Sequence, residues 1–179
     1  MGSMRTAVGA AMLALGLMPG LAAGQDLALE TSERLSTVGT WQFRASARDE
    51  AGRSVCEEVW TFRQDGTATV VSGEQVVEKR WRVAVDAEDL RWLHTASQSV
   101  NDRPDCTGQV DDPTTYPRPE TGFVLLFFNS GHALTCFEPG RVQRPDAQTV
   151  QMWGEDTCWG GIAPLGAPPG QGQAPSGED

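Results

Sequence analysis

Residues 56–85 constrain the fold of this chain more than any other stretch. They contain three segments in which apolar and polar residues alternate, separated by two turn signals, Asp65-Gly66 and Ser72-Gly73. Asp-Gly between alternating runs is typical of tight hairpins, because the central positions of a type I′ turn need a positive φ. The stretch therefore predicts three antiparallel strands joined as a meander.

Similar segments precede and follow the meander and bring the total to eight strands. Antiparallel strands joined in sequence tend to close into a barrel, since closure removes exposed edges. We therefore predict an all-β fold, an eight-stranded antiparallel up-and-down barrel whose interior is filled by side chains or holds one small ligand. The predicted strands are residues 41–47, 56–62, 67–71, 75–85, 90–97, 121–129, 132–137 and 147–153.

The first 24 residues have the organisation of a secretory signal peptide. Arg5 precedes an apolar run over residues 7–21, and Ala22 and Gly24 suit the −3 and −1 positions of a cleavage site. The run is shorter than the roughly 20 apolar residues that span a bilayer. We expect cleavage before Gln25, a periplasmic or secreted protein, and no membrane span after cleavage.

The rest of the chain is expected to form one domain flanked by two segments of different composition. Residues 25–38 form a polar lead-in with one or two helical turns, and residues 39–160 form the barrel. Residues 161–179 form a Gly/Pro-rich tail that cannot bury enough apolar surface to become ordered. Residues 98–120 form a long polar loop of the kind that is usually a functional lid or disordered, and Cys106 predicts that this one is tied down.

All four cysteines lie in the mature part of the chain. An even number in an exported chain implies two disulfides, with three possible connectivities. A zinc site is the alternative, but it needs closely spaced Cys and His residues. The expected strand order favours Cys56–Cys106 with Cys136–Cys158 without enforcing it, since Cys158 would emerge at the opposite end of the barrel.

Charge and motifs exclude several classes of function. The mature chain has 13 basic and 24 acidic residues, a net charge of −11, which disfavours nucleic acid and anionic lipid as partners. No hydrolase, phosphate-loop, dinucleotide or metalloprotease motif occurs. Glu57 and Glu58 are adjacent in a strand, so their carboxylates point to opposite faces and cannot flank one substrate. We expect a protein that is not an enzyme and holds no cofactor or metal.

The period-2 alternation also assigns the face of each strand that points into the barrel. Tryptophans on this face either pack the core or line a cavity. Charged groups there either lie at the rim or anchor the polar end of a ligand. The residues assigned inward are Trp41, Phe43 and Ala45; Cys56, Glu58, Trp60 and Phe62; Val77, Lys79, Trp81, Val83 and Val85; and Leu90, Trp92, His94 and Ala96. Residues 123–128 are apolar on both faces, which predicts a strand that is covered on both sides or central in the core.

The triplet Gly39-Thr40-Trp41 at the start of the first predicted strand, followed by the other strands of the barrel, resembles the lipocalins and the wider calycin superfamily. These proteins are barrels that bind small apolar molecules and carry a G-x-W triplet at the closed end. The pattern C-x-E-x-W-x-F-x-x-D-G-T over residues 56–67 and the cysteine framework are similar to a group of uncharacterised bacterial exported lipocalin-like proteins. The resemblance covers most of residues 39–160 and rests further on Asp105-Cys106-x-Gly108, Cys136-x-Glu138-Pro139 and Cys158-x-Gly160.

Two functions follow as alternatives. The first is an exported binding protein that holds a small hydrophobic or amphipathic ligand in the barrel. The second is a periplasmic inhibitor or interaction protein, similar to inhibitors of proteases or lysozymes, whose loops engage a basic protein partner. For the first function, the expected ligand-binding residues are Trp41, Phe43, Glu58, Trp60, Lys79, Trp81, Trp92 and His94.

Overall fold

A computed structural model describes residues 19–137 and 158–166 of the chain. Within them, eight antiparallel strands follow one another around a closed barrel, in which the last strand pairs with the first. This confirms the predicted fold class. A helix, α1 (Pro19–Val38), precedes the barrel. The strands are β1 (Thr40–Ala45), β2 (Glu57–Phe62), β3 (Thr67–Ser72), β4 (Gln75–Val85), β5 (Arg91–Val100), β6 (Thr121–Phe127), β7 (Ala133–Cys136) and β8 (Cys158–Pro164).

Helix α1 replaces most of the expected polar lead-in and includes the last six residues of the predicted signal peptide. It ends where Gly39, with φ at 74°, donates its backbone N–H to the Leu35 carbonyl at 3.0 Å. A left-handed glycine just after the last helical residue is a common helix stop, because it satisfies a carbonyl that has no partner within the helix. Residues 1–18, which hold the rest of the predicted signal peptide, lie outside the described residues.

The two ends of the barrel differ. The end beside α1 carries the short β2–β3, β4–β5 and β6–β7 connections, and we call it the closed end. There Leu35 of α1 is fully buried and its carbonyl accepts a 3.0 Å hydrogen bond from the indole N–H of Trp41. The opposite end, the loop end, carries the β1–β2 and β5–β6 connections, the latter residues 101–120, which we call the mouth loop.

The last strand corrects the predicted boundaries. The segment 147–153 lies outside the described residues, and the eighth strand is Cys158–Pro164, so the barrel continues past residue 160 into the predicted tail. Glycine made this stretch resemble a linker. In the fold, however, Gly160 gives room to the ring of Phe43, which a Cβ at position 160 would overlap. Close approach of another residue is a recognised reason for glycine within a strand.

Both disulfides of the favoured pairing, Cys56–Cys106 and Cys136–Cys158, are present. The expectation that Cys158 emerges at the opposite end was wrong. Cys158 begins β8 and is the register partner of Cys136 at the loop end. The misplacement came directly from the predicted last strand, because a chain that ends a strand at residue 153 reaches the other end of the barrel.

Buried apolar residues form two clusters, one on each side of the β6 wall. Phe123 and Leu125 belong to the cluster inside the barrel, which we call the inner cluster. Val124 and Leu126 alternate with them and join an outer cluster together with Cys136 and Cys158. The prediction of a strand covered on both sides is confirmed.

Candidate functional site

Three of the predicted inward faces place their aromatic residues in the inner cluster. Trp41 and Phe43 of β1, Trp60 and Phe62 of β2, and Trp81 of β4 are all at most 8% exposed. The Phe43 and Trp60 rings are stacked with centroids 5.1 Å apart, and Phe62 meets Trp81 edge to face at 5.2 Å. These rings contact one another, and packing of the core is the role that the structure gives them.

The face predicted for β5 was wrong. Leu93 and Thr95 are the buried inward residues, since they pair in register with Val83 and Trp81. Leu90, Trp92, His94 and Ala96 therefore lie on the outer face. The alternation misled because the outer wall is also apolar here: Leu90 and Trp92 pack in the outer cluster.

His94 belongs to a polar group on that outer face. Its Nδ1 lies 3.3 Å from Oε1 of Glu120, which also accepts hydrogen bonds from Arg82. Partial burial, followed by the charge of Arg82, lowers the pKa of His94, and Glu120 opposes the shift. This histidine has no part in the barrel interior.

Polar side chains replace aromatic rings in the interior near the loop end. Oε2 of Glu58 accepts a 2.6 Å hydrogen bond from the indole N–H of Trp60. Lys79 on β4 donates from Nζ to the Ser97 hydroxyl on β5 at 2.9 Å. In the described part of the chain Lys79 makes no salt bridge, so one of its three N–H donors has a partner. An ammonium group in this state is costly to bury.

Burial of the ammonium group lowers the pKa of Lys79, and the carboxylate of Glu58 offsets part of that shift. Two charges of the mouth loop also act on Lys79, and they oppose each other: Arg118 and Asp111, which form a 2.9 Å ion pair. Lys79 and Arg118 are positive, and Glu58 and Asp111 are negative. The formal charges of these four groups therefore sum to zero.

Two more buried polar atoms have no hydrogen-bond partner within the described residues, the Thr135 hydroxyl and the Trp159 indole nitrogen. The Trp159 ring packs in the interior against Phe43 at 4.8 Å and Phe123 at 5.5 Å between centroids. On its other side it stacks with Phe137, which is 58% exposed. Trp159 thus separates the aromatic core from solvent at the loop end.

Sequence reasoning missed Trp159 because it was assigned to the end of the predicted barrel. The register explains its direction. Thr135 pairs with Gly160 and Cys136 pairs with Cys158, so residue 159 is skipped. An extra residue of this kind is a β-bulge, which re-aims side chains. The alternation in the sequence gives no signal for such a bulge.

The mouth loop is held against the barrel, as Cys106 predicted. Its disulfide joins it to the start of β2. The backbone N–H of Cys106 donates to the Ser72 hydroxyl at 3.2 Å, and that of Arg118 donates to the Ser97 carbonyl at 2.9 Å. Gly73 permits this approach, since a Cβ there would lie 2.7 Å from the Asp105 backbone.

Inside the loop, Tyr116 packs against the inner cluster and donates its hydroxyl to Asp111 at 2.8 Å. Partial burial, then the hydrogen bond to Asp111, raise the pKa of Tyr116 to about 12. A short 3₁₀ turn at Pro113–Thr115 is capped by Asp112, whose side chain accepts from the Thr114 N–H. The mouth loop therefore has its own internal hydrogen bonds in addition to its anchors on the barrel.

No known protein family, curated protein or solved structure matches this chain. No helix in the described residues is long and apolar enough to cross a membrane. The candidate site is accordingly judged from its own chemistry.

One feature of composition points to the same position. The chain has fourteen basic residues, and Lys79 is the only lysine among them. Apart from Arg91, which has the inward parity of β5 near the closed end, the arginines whose surroundings are described lie on the outer surface, on α1 or in loops. Lys79 lies in the barrel towards the loop end. That Lys79 is the one lysine of the chain is a second sequence signal for a residue that the strand alternation already places in the site.

Cys56, Glu58 and Cys106 offer ligand atoms within 4.8 Å of one another, close enough to suggest a metal site. Both sulfurs, however, are joined in a disulfide. The thiolate is the form of cysteine that binds metals. This group therefore serves to anchor the mouth loop while the disulfide is intact.

Proposed function

We propose that this chain is an exported binding protein that holds a small amphipathic ligand in the loop end of the barrel. The single observation that carries the proposal is Lys79, a partly buried ammonium group beside an aromatic core, with one hydrogen-bond partner among the described residues. Buried polar groups without partners are uncommon in folded proteins, and each one calls for an explanation. A ligand acceptor group would supply the missing partner.

The site is smaller than the set of residues expected from the sequence. Of the predicted residues, Glu58 and Lys79 remain in the proposed site as its polar groups, and Trp60 remains as an apolar residue that contacts it from the core side. Trp159 and Thr135 join it because each has a buried polar atom without a partner among the described residues. Trp92 and His94 leave it, since they face outward. Binding, rather than catalytic turnover, is what this arrangement supports.

Charge favours a neutral polar group on the ligand. The charges near Lys79 already balance, so an added carboxylate would bring an uncompensated negative charge into a partly desolvated space. A hydroxyl or carbonyl oxygen can accept a hydrogen bond from Lys79 or from the Trp159 indole without that cost. Medium-chain alcohols and aldehydes fit this description.

Export is supported by two independent features. Residues 1–24 have the organisation of a signal peptide. Two disulfides tie the barrel, and such bonds persist mainly in oxidising compartments. We infer a periplasmic or secreted protein of the lipocalin-like kind.

The test is a titration of tryptophan fluorescence with a chain-matched pair, decanol and decanoic acid. We expect saturable binding of decanol, weaker binding of decanoic acid, and a loss of about 3- to 10-fold in decanol affinity for Lys79→Met, the equivalent of one hydrogen bond. Arg80→Met is the matched control, because Arg80 is the exposed neighbour of Lys79. No fluorescence response to either ligand would contradict the proposal.

One observation also favours the second function. The mouth loop is pre-organised by its disulfide and internal hydrogen bonds, and it presents Val110, which is 58% exposed. Rigid loops bind proteins with a smaller entropy cost. If the loop inhibits a basic enzyme such as a lysozyme, the wild type should reduce its activity and Val110→Asp should not. Undiminished lysozyme activity with the wild-type protein would count against this role.

A further inference from the structure

We propose that Lys79 is a nucleophile that captures an aldehyde ligand as a reversible imine. The inference rests on the proposed function and names one chemical class of ligand for the same site. It draws on the identity of the side chain and on its surroundings.

The choice of lysine at this position is informative because every other basic residue of the chain is arginine. Arginine stays protonated in proteins and is a poor nucleophile, whereas lysine loses its proton readily when buried. Hydrogen bonding or charge pairing alone could have used arginine, which offers more donors. What lysine adds is an amine that can exist without a charge.

The surroundings shift the equilibrium of Lys79 towards the neutral amine. Lys79 lies in the barrel interior, its burial lowers its pKa, and Ser97 is its hydrogen-bond partner. A desolvated lysine in an apolar pocket is one of the recognised forms of an activated amine. The Ser97 hydroxyl can accept a hydrogen bond from the amine and leave the nitrogen lone pair available.

The reaction balances without an oxidant or reductant. The neutral Nζ attacks the carbonyl carbon, and the proton that nitrogen loses reaches the carbonyl oxygen to give a carbinolamine. The hydroxyl of this intermediate then takes the remaining proton of the nitrogen and leaves as water while the C=N bond forms. The sum is amine plus aldehyde giving imine plus water.

The test uses the full mature chain with decanal and cyanoborohydride, which reduces the imine to a stable secondary amine. Peptide mass spectrometry then locates the adduct. Because the chain has one lysine, only Lys79 and the N-terminal amine can react, and the second serves as an internal reference. We expect the adduct at Lys79 to form faster than that at the N-terminus in the folded protein.

Two comparisons tie this reactivity to the site. In urea, with the disulfides kept intact, Lys79 regains an ordinary pKa near 10.4 and its labelling should fall below that of the N-terminal amine. In the double variant Lys79→Arg with Arg80→Lys, the lysine moves to the exposed outer face, and labelling there should match that of the unfolded protein.

Three outcomes separate the two proposals. Absence of an adduct at Lys79 in a protein that still binds decanol would overturn the imine and leave the binding function standing. Equal labelling of Lys79 in the folded and unfolded protein would also overturn the imine proposal, because the folded site would then not increase the reactivity of the amine. Absence of both decanol binding and adduct would overturn both proposals.

Discussion

The two ends of the barrel interior use the same residue type in different ways. At the closed end, the Trp41 indole donates to the Leu35 carbonyl, and the Trp81 indole donates to the Thr67 carbonyl at 2.9 Å. At the loop end, the indole nitrogen of Trp159 is buried without a partner in the described residues. Within residues 19–137 and 158–166, the closed end therefore satisfies its own indole donors, whereas the loop end holds an indole donor without a partner.

Trp60 lies between the two and illustrates the transition. Its ring stacks on Phe43 in the core, while its N–H reaches Glu58 among the polar groups. Apolar packing therefore extends from α1 up to this level, and the polar groups begin there. We expect substitutions of apolar interior residues below it to change stability, and substitutions of the polar interior groups above it to change binding.

The largest expected effect is on stability and comes from the loop-end anchor. Replacing both Cys56 and Cys106 by alanine removes a disulfide that joins residues 50 positions apart. Because the unfolded chain then gains conformational entropy, the free energy of unfolding should fall by about 4 kcal/mol. The other disulfide, Cys136–Cys158, joins residues 22 positions apart. Replacing both of its cysteines by alanine should lower the free energy of unfolding by about 3 kcal/mol. Urea unfolding of the two double variants measures both. A larger loss of stability for the Cys136/Cys158 variant would mean that the Cys56–Cys106 disulfide stabilises the fold less than its sequence separation predicts.

The next effect tests the closed end. Leu35→Ala removes a fully buried side chain that packs with Trp41, and it should lower the free energy of unfolding by about 3 kcal/mol. Leu29→Ala on the same helix is the control, since Leu29 is 59% exposed and should change stability by less than about 0.5 kcal/mol. Affinity for decanol should stay unchanged in both. A large loss of affinity in Leu35→Ala would show that the two ends are not separate.

The smallest effect is a pH dependence. Because burial lowers the pKa of Lys79, the folded chain releases this proton at a lower pH than the unfolded chain does, so the free energy of unfolding should rise as the pH approaches about 10 from below. Above about 10 the raised pKa of Tyr116 acts in the opposite direction. Urea unfolding across this range should show the rise in wild type and in Arg80→Met, and a flatter profile in Lys79→Met. If the pH dependence of the free energy of unfolding is the same in Lys79→Met as in wild type, the amine of Lys79 is exposed to solvent and the account is contradicted.

Much of the barrel could be predicted from local patterns, because turn chemistry and alternation act within a few residues. The turns at Gly66 and Gly73, both with positive φ, are examples. The pairing Cys56–Cys106 was favoured because both residues were expected near the same end. The face of β5 could not be predicted in this way, since both of its faces carry apolar residues and only pairing with β4 decides between them.

The site was predictable in part. Glu58 and Lys79 emerged as polar residues on otherwise apolar faces, and the structure places both in the interior near the loop end. Trp159 could not be found, because its direction depends on a bulge between β7 and β8, and bulges follow from the pairing of distant segments. His94 and Trp92 were both assigned to the site because the alternation along β5 was taken with the wrong face pointing inward.

The most direct test of the difference between the two ends is the set of indole N–H signals in an ¹H–¹⁵N NMR spectrum, recorded while decanol is added. Each tryptophan gives its own signal, so the titration shows where the ligand binds. We predict that the Trp159 and Trp60 signals shift with saturation while those of Trp41 and Trp81 stay in place. Shifts at Trp41 and Trp81 without shifts at Trp159 would contradict the assignment of the site to the loop end.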